Sequence, residues 1–214
     1  MKIIVFGANG QIGKILIDKI KKEGTHEVTA AVRKEEQAKD FQSKGVKGLL
    51  VDLEGSVEEL TKVIRGHDAV VFSAGSGGKT GPDKTLLVDL DGAVKTMEAA
   101  SKAGTKRYLM VSALQANNRK NWNQKIRPYY VAKHYADRCL AESGLDFTIV
   151  RPGGLTNDKG AGKVAISEQL ERGKVSREDV ATVLLASLEE EKTIGKAFDL
   201  TEGDKSFKDA LGGL

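Results

Sequence analysis

Short apolar runs alternate with amphipathic stretches from residue 2 to residue 151. The runs at 2–6, 27–32, 46–51, 69–73, 107–112 and 147–151 are rich in Val and Ile and almost continuously apolar. Strands covered on both faces look like this, because neither side of the pleat meets water. The stretches between them repeat apolar residues at helical spacing and predict helices at 11–22, 35–43, 57–64, 85–103 and 129–143. In the fourth of these, Leu86, Leu90, Val94 and Met97 mark one face. Strict strand–helix alternation predicts an α/β fold: a doubly wound, parallel, Rossmann-type sheet.

The pattern thins after Arg151. Residues 152–162 read as a glycine-rich loop, 163–167 as a short strand, 177–189 as a helix with Ser176 as its N-cap, and 197–201 as a last strand. The chain has 214 residues, a length that suits one domain, 1–214. Residues 152–214 are expected to form a small region that covers the substrate.

Gly7-Ala8-Asn9-Gly10-Gln11-Ile12-Gly13 directly follows the first strand and opens the first helix. Gly7 permits a tight turn, Gly10 lets backbone approach a pyrophosphate, and Gly13 allows close helix–strand packing. The helix N-terminus then offers unpaired N–H groups to phosphate. Asn9, Gln11 and Ile12 complete this turn, which predicts a dinucleotide site. An NAD site would carry an acidic residue at the end of the second strand. Arg33 and Lys34 stand there instead, and a guanidinium suits a 2′-phosphate, so NADP is expected over NAD. Asp52 and Leu53 after the third strand, and Ser73, Ala74 and Gly75 after the fourth, are further candidates for the cofactor. So are Pro152 and Gly153 after the sixth strand, with Thr156 beyond them. A plain chain reversal explains Pro152 and Gly153 equally well.

The fifth strand ends at Ser112. Tyr129 and Lys133 are four residues apart and share a helix face. A phenol titrates near 10, and a neighbouring ammonium is expected to lower that value. Ser112 would orient a carbonyl oxygen, so the three residues suit hydride transfer with proton donation from Tyr129.

On these motifs, and on 143–154 (SGLDFTIVRPGG) and 176–181 (SREDVA), the chain resembles the short-chain dehydrogenase/reductase superfamily. The similarity is to its atypical branch of small NAD(P)H-binding proteins and, more distantly, to the flavin/biliverdin reductase type. It covers nearly the whole chain. It implies NADP(H) binding and the roles given above for Ser112, Tyr129 and Lys133, with Lys133 also touching the cofactor ribose. The family's lysine-supporting asparagine is matched by Asp89, a departure that bears on any water-mediated proton relay.

Charge and composition narrow the picture. The net charge of +4 is spread over interleaved cations and anions, as in Lys34-Glu35-Glu36, and not gathered into the stripe of a nucleic-acid binder. No stretch approaches the roughly 20 apolar residues of a membrane span, and no secretory signal is visible. One cysteine, Cys139, excludes an internal disulfide and suits a reducing cytoplasm. It falls in an apolar helical pattern and reads as an inert buried thiol. His26, His67 and His134 have no ligand spacing, so no metal is expected. Residues 117–127 hold Trp122, Arg119, Lys120, Lys125 and Arg127. They form either a solvated, disordered loop or a lid that would favour an aromatic or anionic small-molecule substrate. The expected protein is a monomer or homodimer that passes hydride to a small carbonyl, quinone or flavin-like acceptor. A nucleotide-sugar epimerase or dehydratase, and a non-enzymatic NADP(H) sensor, are the competing readings. The first usually has a larger C-terminal domain, and the second can dispense with Tyr and Lys.

Overall fold

The structure is a computed structural model that describes residues 1–78 and 80–214. Strands β1 (Lys2–Phe6), β2 (Glu27–Val32) and β3 (Lys47–Leu50) alternate with α1 (Gln11–Glu23), α2 (Glu35–Ser43) and α3 (Val57–Ile64). β4 (Ala69–Phe72) leads through a short helix α4 (Pro82–Lys84) into a π-helical stretch, Thr85–Gly92, which continues as α5 (Ala93–Ala103). Then come β5 (Arg107–Val111), α6 (Arg127–Glu142) and β6 (Asp146–Pro152). The remainder is β7 (Gly154–Thr156), β8 (Lys163–Ser167), β9 (Lys174–Ser176), α7 (Arg177–Glu189), β10 (Lys196–Glu202), β11 (Lys205–Ser206) and α8 (Phe207–Gly212).

The strands are covered on both faces, as their apolar runs predict. In β1, Ile3 and Val5 enter one core, while Ile4 and Phe6 enter the other. β4 and β5 divide in the same alternating way: Val71 and Leu109 face the first core, Phe72 and Tyr108 the second. Helices α1, α2, α7 and α8 supply the first core, and α3, α5 and α6 the second. The main sheet runs β11-β8-β10-β6-β5-β4-β1-β2-β3. β3 to β10 in this order are parallel, and β8 is antiparallel to both β10 and β11. The strand order reverses between β1 and β4. A crevice opens there at the C-terminal ends, where open α/β sheets bind ligands.

The C-terminal region is more integrated into the sheet than a separate cover would be. β10, β8 and β11 extend the main sheet, and among the described residues only β7 and β9 pair outside it. The expected loop at 152–162 therefore contains a strand. Its glycine at 153 is a packing requirement: a Cβ there would meet the Gly173 backbone and the Thr201 methyl. Ser176 caps α7 as predicted, its hydroxyl accepting from the Asp179 N–H at 2.9 Å.

Two expectations are corrected. Cys139 is exposed. The inward face of α6 carries Lys133, His134 and Asp137 beside Tyr130, Ala136 and Leu140, which turns Cys139 outward. Residues 117–127 are not a disordered loop. They wind into two short 3₁₀ turns, Arg119–Asn121 and Gln124–Ile126. Trp122 is buried, stacks on Tyr130 at 6.1 Å and meets the His134 ring edge at 5.4 Å. Its indole N–H donates to the Ala116 carbonyl at 3.0 Å. Trp122 thus anchors the segment to α6.

Candidate active site

A cleft of about 320 Å³ lies over the C-terminal ends of β1 to β4. Gly7, Asn9, Gly10, Arg33, Asp52, Leu53, Ser73, Ala74 and Gly75, all singled out from the sequence, line it together. Gln37, Glu54 and Ser76 line it as well and were not anticipated. Gln37 follows Arg33 by four residues, one turn into α2, a spacing that could have revealed it.

Each glycine of the first turn has its own cause. Gly7 has φ +79°, and a Cβ on it would lie 2.5 Å from the Ala74 amide nitrogen. Gly13 has no room for a side chain, since a Cβ would collide with the Gly7 carbonyl. Gly10 is exposed in ordinary extended backbone, and a Cβ would meet only the Gly7 carbonyl oxygen, at 3.0 Å. Packing asks less of Gly10 than of Gly7 or Gly13, whereas a phosphate seated on α1 would need its bare backbone. α1 has no side-chain cap and no acidic residue in its first turn, so its N-terminal dipole faces the cleft uncompensated. Gln11 and Ile12 contribute that turn, with the Ile12 side chain buried in the core.

Arg33 is exposed at the cleft with no ion-pair partner among the described residues. Lys34 behaves differently: it starts α2 and pairs with Glu36 at 3.3 Å, outside the cleft lining. These groups suit a dinucleotide, and Arg33 is a free cation at the cleft among the described residues. Pro152, Gly153, Ser112, Tyr129 and Lys133 lie beyond the cleft lining.

Asp89 links the two halves. The π-helical winding at Thr85–Gly92 carries it, and such turns widen a helix by one residue and re-aim a side chain. Asp89 is 1% exposed. Its Oδ2 accepts from the Ser76 N–H in the cleft wall at 2.8 Å, and its Oδ1 lies 3.8 Å from Lys133 Nζ. Lys133 is 2% exposed, and its ammonium also donates to the Val111 carbonyl at 3.0 Å. Burial pushes the Lys133 amine below its ordinary value, against the opposing pull of Asp89 and Asp137.

The expected phenolate is not what this geometry favours. The Lys133 nitrogen sits 5.8 Å from the Tyr129 ring centroid and equally far from that of Phe72. Burial pushes the Tyr129 phenol up, and Asp89, Tyr130 and Asp137 add to the effect. Tyr129 is therefore a neutral phenol here, although partly exposed, and the rise makes it a weaker acid than a free phenol. Behind it, Arg151 Nε donates to Asp137 Oδ2 at 2.7 Å, a buried pair that joins β6 to α6. Asp137 lies one turn beyond Lys133 on the same face, so the 129–133–137 spacing was visible in the sequence although its meaning was not.

A glycine-rich turn at the switch point of a parallel sheet, with Ser112, Tyr129 and Lys133 beyond it, defines a Rossmann protein of the atypical short-chain dehydrogenase/reductase class. The chain belongs to the NAD(P)H-binding family, whose model matches residues 7–191. Members of this family are NAD(P)-dependent oxidoreductases and epimerases. The chain is 56% identical over 211 residues to the uncharacterized sugar epimerase YhfK of Bacillus subtilis, covering 99% of both. A solved structure from Bacillus halodurans, provisionally described as an NAD-dependent epimerase/dehydratase, is 39% identical, with TM-score 0.93 and full coverage of both chains. The oxidoreductase ylbE of Lactococcus lactis is 34% identical, with TM-score 0.91, over 100% of this chain and 96% of that one. Among the described residues no helix is long and apolar enough to cross a membrane, and no cluster of three or more metal-ligating side chains occurs.

Proposed function

We infer that the protein is an NADP(H)-dependent oxidoreductase that reduces a small carbonyl or quinone-like acceptor. The observation that carries this reading is the bridge made by Asp89. One carboxyl group holds the Ser76 amide of the cleft wall and the Lys133 ammonium beside Tyr129. This bridge supports reading the cofactor cleft and the acid–base residues as parts of one site. NADPH, when bound, supplies the hydride. Gly10 and the first turn of α1 would receive its pyrophosphate, and Arg33 its 2′-phosphate. Tyr129 would give its proton to the acceptor oxygen as hydride reaches the carbon, so a carbonyl becomes an alcohol. Lys133, held by Asp89 and the Val111 carbonyl, would keep a positive charge near the Tyr129 ring.

The relatives' names make sugar epimerisation a second reading. That chemistry begins by removing a hydroxyl proton, which asks for a basic tyrosine. In the reductive direction the neutral phenol is already in the protonation state that the step consumes. The test is NADPH oxidation across aldehydes, quinones, flavins and nucleotide sugars. With a carbonyl acceptor, Tyr129→Phe is expected to lower kcat/KM by about 10²–10⁴ and leave NADPH affinity within a few fold. Reduction unaffected by this change would overturn the role of Tyr129. Tight NADPH binding without turnover of any acceptor would favour a sensor.

A further inference from the structure

Gln37 lines the cleft four residues beyond Arg33, and its side-chain oxygen Oε1 is buried without a hydrogen-bond partner among the described residues. Buried polar atoms left in this way are uncommon and call for an explanation. The position of Gln37 in its helix sharpens the question. Lys34 is the N-cap of α2, so Gln37 is the third helical residue. A Glu or Gln at that place ordinarily reaches back and accepts from the N-cap N–H. α3 does this: Glu59, third after the cap Ser56, accepts from the Ser56 N–H at 2.9 Å. Gln37 makes no such bond. The buried Gln115 gives a second contrast, since its amide donates to the Leu170 carbonyl and accepts from Asn121 Nδ2.

The acidic groups at this end of the cleft are already engaged. Glu36 pairs with Lys34 at 3.3 Å, and Glu54 in the cleft wall pairs with Lys84 at 2.6 Å. Asp52 Oδ1 accepts from the Glu54 N–H at 2.9 Å. What faces the cleft beside the free Arg33 guanidinium is therefore a neutral amide that the fold itself does not use.

We propose that Gln37 is a specificity-determining residue that meets the adenosine ribose of the cofactor at its 2′ position and serves either substituent found there. Oε1 accepts from a 2′-hydroxyl. Turned half a rotation about its last bond, the same amide presents Nε2 and donates to a phosphate oxygen. Gln37 thus holds both dinucleotides alike, and Arg33 supplies the bias toward the phosphate. An ionised carboxylate in the same place could only accept, which is the choice an NAD site makes. This rests on the NADP(H) reading above, in which the cleft takes the adenosine half of the cofactor.

The experiment is calorimetric titration of the whole protein with NADPH and with NADH, for wild type, Gln37→Met and Gln37→Glu, beside thermal melts without cofactor. Methionine keeps the length of the side chain and removes both polar ends. It should weaken each cofactor by about two- to tenfold, the worth of one hydrogen bond. The free protein should melt no lower, because the folded chain loses no hydrogen bond and sheds a buried oxygen without a partner. A merely structural role would give the reverse, a lower melting temperature with both affinities kept, and would overturn the proposal. Glutamate keeps the shape but cannot donate while ionised. It should weaken NADPH by about tenfold or more and leave NADH within about threefold of wild type, or tighter. NADPH affinity retained in either variant overturns the proposal, and a wild-type preference for NADPH would then leave the functional reading standing. A wild type that prefers NADH, and loses affinity for it in Gln37→Met, would uphold the ribose contact while refuting the NADP(H) reading. Binding of neither dinucleotide by wild type would overturn both.

Discussion

Asp89 and Lys133 face each other at 3.8 Å in a site almost closed to water, and Asp89 is the first of the charges that offset the burial of Lys133. Removing that charge in Asp89→Asn leaves an ammonium with less compensation, so its pKa falls further below the ordinary 10.5. The alkaline limb of kcat/KM is therefore expected to move to lower pH. Stability follows the same sign. A group with a depressed folded pKa contributes stability above its unfolded value, and that contribution is lost as pH falls through the folded one. The loss in Asp89→Asn, on the order of 3 kcal/mol, should be largest at neutral pH and shrink toward alkaline pH. Thermal melts across a pH series would check it, and a pH-independent loss would argue against the charge pairing.

If Arg33 receives a 2′-phosphate, it decides between the two dinucleotides. NADPH should bind at least tenfold tighter than NADH, about 1.4 kcal/mol. Arg33→Ala should erase the difference by weakening NADPH alone. Calorimetric titration of both cofactors tests this, and equal affinities in wild type would refute it.

The first turn separates a glycine kept for ligand from one kept for packing. Gly10→Val should keep the α/β fold by circular dichroism, with a small stability loss from the contact with the Gly7 carbonyl, yet lose measurable NADPH binding if the pyrophosphate sits on this turn. Gly13→Ala should lower stability by about 1–3 kcal/mol, because the new methyl collides with the Gly7 carbonyl. If Gly10→Val binds NADPH as well as wild type, the phosphates sit elsewhere.

Trp122 should prove structural. Trp122→Ala is expected to cost about 3–5 kcal/mol by removing the contacts to Tyr130 and His134. NADPH affinity should stay within a few fold, since the cleft is lined from other elements. Denaturant melts together with a cofactor titration would distinguish this from a lid, whose loss would spare stability.

The sheet was legible in the sequence because strands covered on both faces must be apolar throughout, and the glycine turn because its spacing is fixed by backbone geometry. The short pairings β7, β9 and β11 were not: two or three residues carry no period to read. The π winding at Thr85–Gly92 also left no trace, since Leu86 and Leu90 suit an α-helix equally well, yet Leu86 is exposed. Around Tyr129 the chemistry was legible as residue types but not as electrostatics. Whether Lys133 lowers the phenol depends on where its nitrogen lies, and here it sits by the ring face and the Val111 carbonyl. The Asp137–Arg151 pair was not foreseen, because a buried pair is recognised only when both partners are seen together.

The outward turn of Cys139 has a practical consequence. The only thiol of the chain projects from the helix that carries Tyr129, Lys133 and Asp137, on the side turned away from them. A single maleimide dye or nitroxide would therefore attach without a background mutation and without entering the site. It would report the motion of α6 itself as cofactor and acceptor arrive, in an otherwise unaltered protein.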